Sequence, residues 1–173
     1  MCEMCEGKTL EEVHREMGLR IAERGWGVVA VEGDGRRWGP WAYTVGLSDA
    51  FGHPELVVAD VELSGAYRVL DVFAQAVHDE DEWFISGDVI DFGADDEATI
   101  RVAAVHASHL RTELFSGWHA YYRDLGPPAP DLRALQLVLS DEWFCHVHGS
   151  PQRDLSRPAP TARTGGHRRR KGR

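Results

Sequence analysis

Trp41-Ala42-Tyr43-Thr44-Val45-Gly46-Leu47-Ser48-Asp49-Ala50-Phe51-Gly52-His53-Pro54-Glu55-Leu56-Val57-Val58 is the stretch on which the fold turns. Trp41, Tyr43, Val45 and Leu47 alternate with Ala42, Thr44 and Gly46, which is the period of a strand with one bulky and one small face. A face of small side chains invites another element to pack closely against it. Glu55 to Ala59 reads as a second strand. The loop from Ser48 to Glu55 between them carries the polar groups, with His53 just ahead of a stiffening proline.

Before this hairpin, Thr9-Leu10-Glu11-Glu12 has the form of a capping box. Leu10, Val13, Met17 and Ile21 then share one helical face, and Gly25 is a natural stop, so a helix is predicted over about 10–24. The apolar run from Trp26 to Val31 reads as a buried strand, and Gly33-Asp34-Gly35 as a turn. After the hairpin, Ala66, Leu70, Phe73 and Val77 predict a second helix over about 65–78. Short strands are expected at 83–86 and 89–92, then one at 100–106. Leu110, Leu114, Trp118 and Tyr121 predict a third helix over 108–125, with a break at Gly117. Gly126-Pro127-Pro128-Ala129-Pro130 ends it, and a strand follows over 132–139.

This order predicts a single α+β domain over 1–149, with a mixed, mostly antiparallel sheet packed by about three helices. The length of 173 residues and a composition of 43% hydrophobic and 27% charged residues suit one globular core. No apolar run approaches the ~20 residues of a membrane helix, and the polar, acidic start is not a secretory signal, so a cytoplasmic protein with no membrane partner is expected.

Charge is unevenly placed. From Ser150 onward eight Lys/Arg stand against one acid, Asp154, so residues 150–173 read as a disordered basic tail rich in Pro and Arg. With 19 basic and 28 acidic residues in all, the rest of the chain holds 11 and 27, a net −16. Such a body repels nucleic acid, and only weak contact with it is expected from the tail.

Gly25-Trp26, the block from Trp41 to Leu47, His53-Pro54-Glu55-Leu56-Val57-Val58 and Ala134-Leu135-Gln136-Leu137-Val138 resemble, in the same order, the bacterial domain-of-unknown-function 4262 family. The Cys2-x-x-Cys5 start is also similar to that of some members. The resemblance runs from Cys2 to about Asp141 and implies no established activity. The chain departs from the family at Ser140 to His148, where members often carry a glycine turn and an aromatic-Pro-Trp segment. The hairpin alone is similar, more weakly, to suppressor-of-fused-like domains, some of which resemble immunity proteins of toxin systems.

Candidate sites follow from residue type. Tyr43, Thr44, Ser48, Asp49, His53 and Glu55 form a ligand- or partner-binding set, in which His53 is a candidate base oriented by Glu55 or Asp49. The alternative is structural, with His53 satisfying a turn and Glu55 bonding backbone. Cys2 and Cys5 with Cys145 and His148, or His146, could complete a tetrahedral zinc site, or be plain surface thiols. His106, His109 and His119 with Glu113 are a weaker metal set, and His109 and Glu113 have the i, i+4 spacing of a helical pair. The acidic runs Asp79 to Glu82 and Asp95 to Glu97 lack a calcium-loop pattern and read as solvated turns or as a surface for a basic partner protein. Of six tryptophans, Trp38 in its Gly-rich loop is expected to be exposed and the others mostly core.

Two functions remain open on these residues. One is a binding or regulatory domain, immunity-like in kind, that holds a protein partner through the Tyr43–Glu55 hairpin and its acidic surroundings. The other is a small zinc protein or hydrolase-type enzyme using His53 and Glu55, or the Cys2/Cys5/Cys145/His148 set. No nucleophile elbow or phosphate loop is present in the sequence.

Overall fold

A computed structural model describes residues 9–35, 38–91, 98–124, 128–140 and 152–159. Thr9 accepts from the Glu12 amide at 3.2 Å while Glu12 accepts from the Thr9 amide at 2.8 Å, so the capping box starts α1 (Leu10–Arg24) as its sequence predicts. Gly25, at φ +88°, ends it. Among the described residues the remaining helices are α2 (Leu47–Ala50), α3 (Leu63–Asp79), α4 (Ala107–Leu110) and α5 (Ser116–Asp124).

The strands are β1 (Gly27–Val31), β2 (Trp41–Val45), β3 (Glu55–Ala59), β4 (Val89–Asp91), β5 (Thr99–Ala104) and β6 (Ala134–Leu139). They form one six-stranded sheet in the order β1-β2-β3-β6-β5-β4. All neighbours are antiparallel except β3 and β6, where Glu55 sits opposite Ala134. The chain is a single α+β domain on a mixed sheet.

Strand parity divides the core into two layers. Ala66, Leu70, Phe73, Ala74 and Val77 of α3 pack with Val28, Ala42, Leu56 and Val58 on one face. Ala42 is the small side chain that the alternation sets toward a close neighbour. On the other face Trp41, Tyr43, Val45 and Val57 meet Met17 of α1 and Phe115, Trp118 and Tyr122 at α5.

The structure departs from the sequence reading at several places. Leu47 does not continue the Trp41 face. Gly46 adopts φ +112° and turns the chain into α2, which carries Leu47 into the α3 layer. Any Cβ at Gly46 would lie 2.5 Å from the Gly25 carbonyl oxygen, so only glycine makes this turn. Residues 83–86 are a loop, not a strand, because the Phe84 and Ile85 amides bond side chains, His53 Nε2 and Asp88 Oδ2, in place of a neighbouring strand. The helix expected over 108–125 is α4, a 3-10 turn (Glu113–Phe115) and α5. Glu113 therefore leaves His109 and accepts from the Trp38 indole at 2.8 Å.

Trp38 is buried, not exposed: Trp41, His109 and the Arg153 guanidinium, 4.1 Å from its ring centroid, enclose it. Residues 152–159, inside the segment expected to be a disordered tail, lie against the sheet. The Leu155 amide donates to Gln136 Oε1 at 2.8 Å, Gln136 Nε2 donates to the Arg153 carbonyl, and Leu155 is fully buried. Gln152 bridges the Leu139 amide and the Ala59 carbonyl. The polar Gln136 in an apolar strand thus has its partners in this segment. Among the described residues, no helix is long and apolar enough to cross a membrane.

Candidate functional site

The hairpin places its two ionisable candidates in separate surroundings. Glu55 is fully buried at the start of β3. Thr44 Oγ1 donates to its Oε2 at 2.7 Å, while the Gly46 amide (3.1 Å), the Ser48 amide (3.2 Å) and Trp118 Nε1 (3.3 Å) donate to Oε1. Burial pushes the carboxyl up from its ordinary range, and the hydrogen bonds from Thr44, Ser48, Gly46 and Trp118 oppose that. A set made wholly of donors suits a carboxylate better than a protonated acid, which would need an acceptor. Thr44 Oγ1 also accepts from the Leu56 amide at 2.8 Å, so it replaces a rung of the β2–β3 ladder. Glu55 thus ties β2, the start of α2 and α5 to one point.

Tyr43 adds a second tie. Its hydroxyl accepts from the Gly117 amide at 2.9 Å, its ring lies 5.0 Å from that of Phe115, and burial pushes its pKa well up. Gly117 is required by proximity, since a Cβ there would fall 2.7 Å from that hydroxyl.

His53 is also fully buried, but its ring serves a different loop. Nδ1–H donates to the Pro54 carbonyl at 2.7 Å, and Nε2 accepts from the Phe84 amide at 3.2 Å. Both nitrogens are spent, and the arrangement needs the neutral ring. Burial, above all, lowers its pKa; the Arg133 charge adds to this, and the Pro54 carbonyl opposes it. No hydrogen bond joins His53 to Glu55 or to Asp49 among the described residues; each of the first two has its own partners.

What His53 holds is an aromatic surface. The Trp83 ring meets it edge to face with centroids 5.1 Å apart, and Phe84 lies at 5.8 Å. Phe84 continues inward to Phe73 of α3, at 4.9 Å. Trp83 is 53% exposed, with Ile85 at 55% and Val89 at 63% near it in the chain. The loop that displays them is fixed along its length. Ile85 donates to Asp88 Oδ2, Gly87 donates to the Val102 carbonyl, and Ser86 Oγ accepts from the Ala104 amide. Glu80, Asp81 and Glu82, all exposed, run directly into Trp83.

The candidate residues therefore divide. Thr44, Ser48 and Glu55 come together, with Tyr43 alongside; Asp49 is exposed at α2. Tyr43, Thr44, His53 and Glu55 present no surface of their own in this structure. His106 caps α4 through the Ser108 amide, His109 Nε2–H donates to the Arg157 carbonyl, and His119 Nε2–H donates to the Leu110 carbonyl, so the three do not converge. Among the described residues no group of three or more His, Cys, Asp or Glu is placed to hold a metal ion. Cys2, Cys5, Cys145, His146 and His148, and the acidic run 95–97, lie outside the described residues. Trp83 is the residue that sequence reading missed: it was assigned to the core, although four consecutive acidic residues before it were a signal for exposure.

Fold and site together define an α+β domain whose buried hairpin polar groups brace other elements, one of them an exposed aromatic loop. Residues 20–143 match the model of the family described as a domain of unknown function (DUF4262), and the chain belongs to that family. No curated protein and no solved structure matches the chain.

Proposed function

We propose that the protein is a binding domain that docks a positively charged segment of a partner protein on Trp83, Ile85 and Val89. The observation that carries this reading is the half-exposed Trp83 ring seated on the fully buried His53. Tryptophan is the side chain most often found at the energetic centre of interfaces. Trp83, Ile85 and Val89 are large exposed apolar side chains close in the sequence, and contiguous apolar surface marks interaction sites. The loop is held by hydrogen bonds before any partner arrives, so little ordering entropy opposes docking. The acidic flank of Asp79 to Glu82, on a body of net negative charge, selects a cationic partner and speeds its encounter.

In this account the hairpin works from beneath: His53 presents the surface, and Glu55 keeps the hairpin rigid. An enzyme built on His53 has less support, because a base needs a free nitrogen within reach of substrate, and both nitrogens are engaged.

The test uses two labelled peptides with the same leucine anchors, one Lys/Arg-rich and one Asp/Glu-rich, titrated into the full chain at low salt. Saturable binding of the cationic peptide alone, lost when Glu80, Asp81 and Glu82 are all changed to Lys, supports the reading. Equal binding of both peptides, or of neither, overturns it.

A further inference from the structure

We infer that the cleft between α4, α5 and residues 130–132 binds a small zwitterionic molecule with an apolar body, of the amino-acid class. This site is separate from the Trp83 surface and does not rest on it. The cleft has a volume of about 690 Å³, within the roughly 300–1,000 Å³ of small-molecule sites. Leu110 and Leu132 supply its apolar walls, with Trp118 behind them, while Arg111, Asp131 and His119 supply its polar groups.

The wall is built in advance. Trp118 is 2% exposed, and its indole N–H is committed to Glu55 Oε1 at 3.3 Å, which fixes the ring plane. The His119 ring meets Trp118 edge to face with centroids 5.2 Å apart, and its Nε2–H donates to the Leu110 carbonyl at 2.8 Å. That bond sets the ring's orientation and leaves Nδ1 as its open position.

The charges narrow the ligand class. Arg111 and Asp131 line the same cleft, and among the described residues neither side chain has an ion-pair or hydrogen-bond partner, including the other. An anion alone would gain from Arg111 but face Asp131, and a cation alone would meet the reverse. A molecule bearing a carboxylate and an ammonium satisfies both at once, and its apolar body lies against Leu110 and Leu132. Arg111 offers the carboxylate a bidentate fork, which adds geometric selection to charge.

The experiment is calorimetric titration of the full chain with L-phenylalanine, and with its single-charge counterparts phenethylamine and 3-phenylpropionate. L-phenylalanine is expected to bind at least about tenfold more tightly than either. Arg111→Ala should reduce its affinity to that of phenethylamine, and Asp131→Asn to that of 3-phenylpropionate. Both side chains are exposed, so the variants retain the fold, which circular dichroism verifies. The Trp118 indole N–H resonance, assigned by its loss in Trp118→Phe, should shift on binding. No heat with millimolar L-phenylalanine, or equal affinity for the three compounds, would overturn the inference.

Discussion

His53 and Trp83 meet edge to face at 5.1 Å, one ring wholly inside the protein and the other half outside it. They are far apart in the chain, and the Phe84 amide, bonded to His53 Nε2, makes the join directional. The contact connects the hairpin that marks the family to a half-exposed tryptophan on the surface.

Removing the imidazole should therefore free the loop. His53→Ala deletes a buried ring and leaves the Phe84 amide without its acceptor. A loss of about 2 to 4 kcal/mol is expected from the cavity and the orphaned donor together. Urea unfolding measures the loss, and hydrogen exchange at the Phe84 amide should accelerate well beyond that at the β2 amides.

The same residue gives stability a pH dependence with a definite sign. The unfolded ring titrates near 6.5 and the folded one lower. Below 6.5 the unfolded chain binds the proton more readily, so the contribution of His53 is complete above 6.5 and is lost as pH falls through the folded value. Glu55, whose folded value is raised above 4.5, acts in the opposite direction: its contribution favours low pH and declines as pH rises through its folded value. Urea midpoints measured from pH 5 to 8 should gain more with rising pH, in the range just below 6.5, in the wild type than in His53→Gln.

Glu55 can be tested by what its donors are left with. Glu55→Ala strands the donors of Thr44, Gly46, Ser48 and Trp118 in the interior, and a loss of about 3 to 5 kcal/mol is expected. Glu55→Gln keeps an oxygen for the Gly46, Ser48 and Trp118 donors and turns an amide toward Thr44, so about 1 to 2 kcal/mol is expected. Chemical denaturation of the two variants side by side gives the ratio.

Gly117→Ala should destabilise despite the better helix propensity of alanine. Its Cβ would meet the Tyr43 hydroxyl at 2.7 Å, and Tyr43 is fully buried against Phe115 and cannot move aside. A loss of about 1 to 3 kcal/mol is expected from overpacking, read as a lower thermal midpoint. In the double variant Gly117→Ala with Tyr43→Phe the added loss should be smaller than the sum of the two, because the hydroxyl that meets the Cβ is gone.

Much of the scaffold can be read from local pattern. The capping box at Thr9 and Glu12, the stop at Gly25, the α3 stripe and the alternation at Trp41 to Val45 each reappear in the structure, because each is set by residues within a few positions of one another. The tryptophans show where local reading stops. Trp38 stands in a glycine-rich loop, yet Glu113, His109 and Arg153 cover it from distant parts of the chain. Trp83 stands in an apolar run that reads as a strand, yet its loop is held open by His53 and Asp88. Leu155 lies in a stretch rich in Pro and Arg, and its burial depends on Gln136 of β6. The types of the site residues were legible. Their roles were not, because burial of His53 and Glu55 is decided by α5 and the 83–88 loop rather than by the hairpin.

The most direct test of the account is the affinity of the Lys/Arg-rich, leucine-anchored peptide for the wild type and for Trp83→Ala. Trp83 is half exposed and its other half rests on His53, so its truncation should lower the urea midpoint modestly, and the two affinities are compared where both proteins are folded. At least about tenfold weaker binding is expected of Trp83→Ala, in keeping with an interface anchor, and the wild-type affinity should fall with added salt. Equal affinities in the two folded proteins would contradict it.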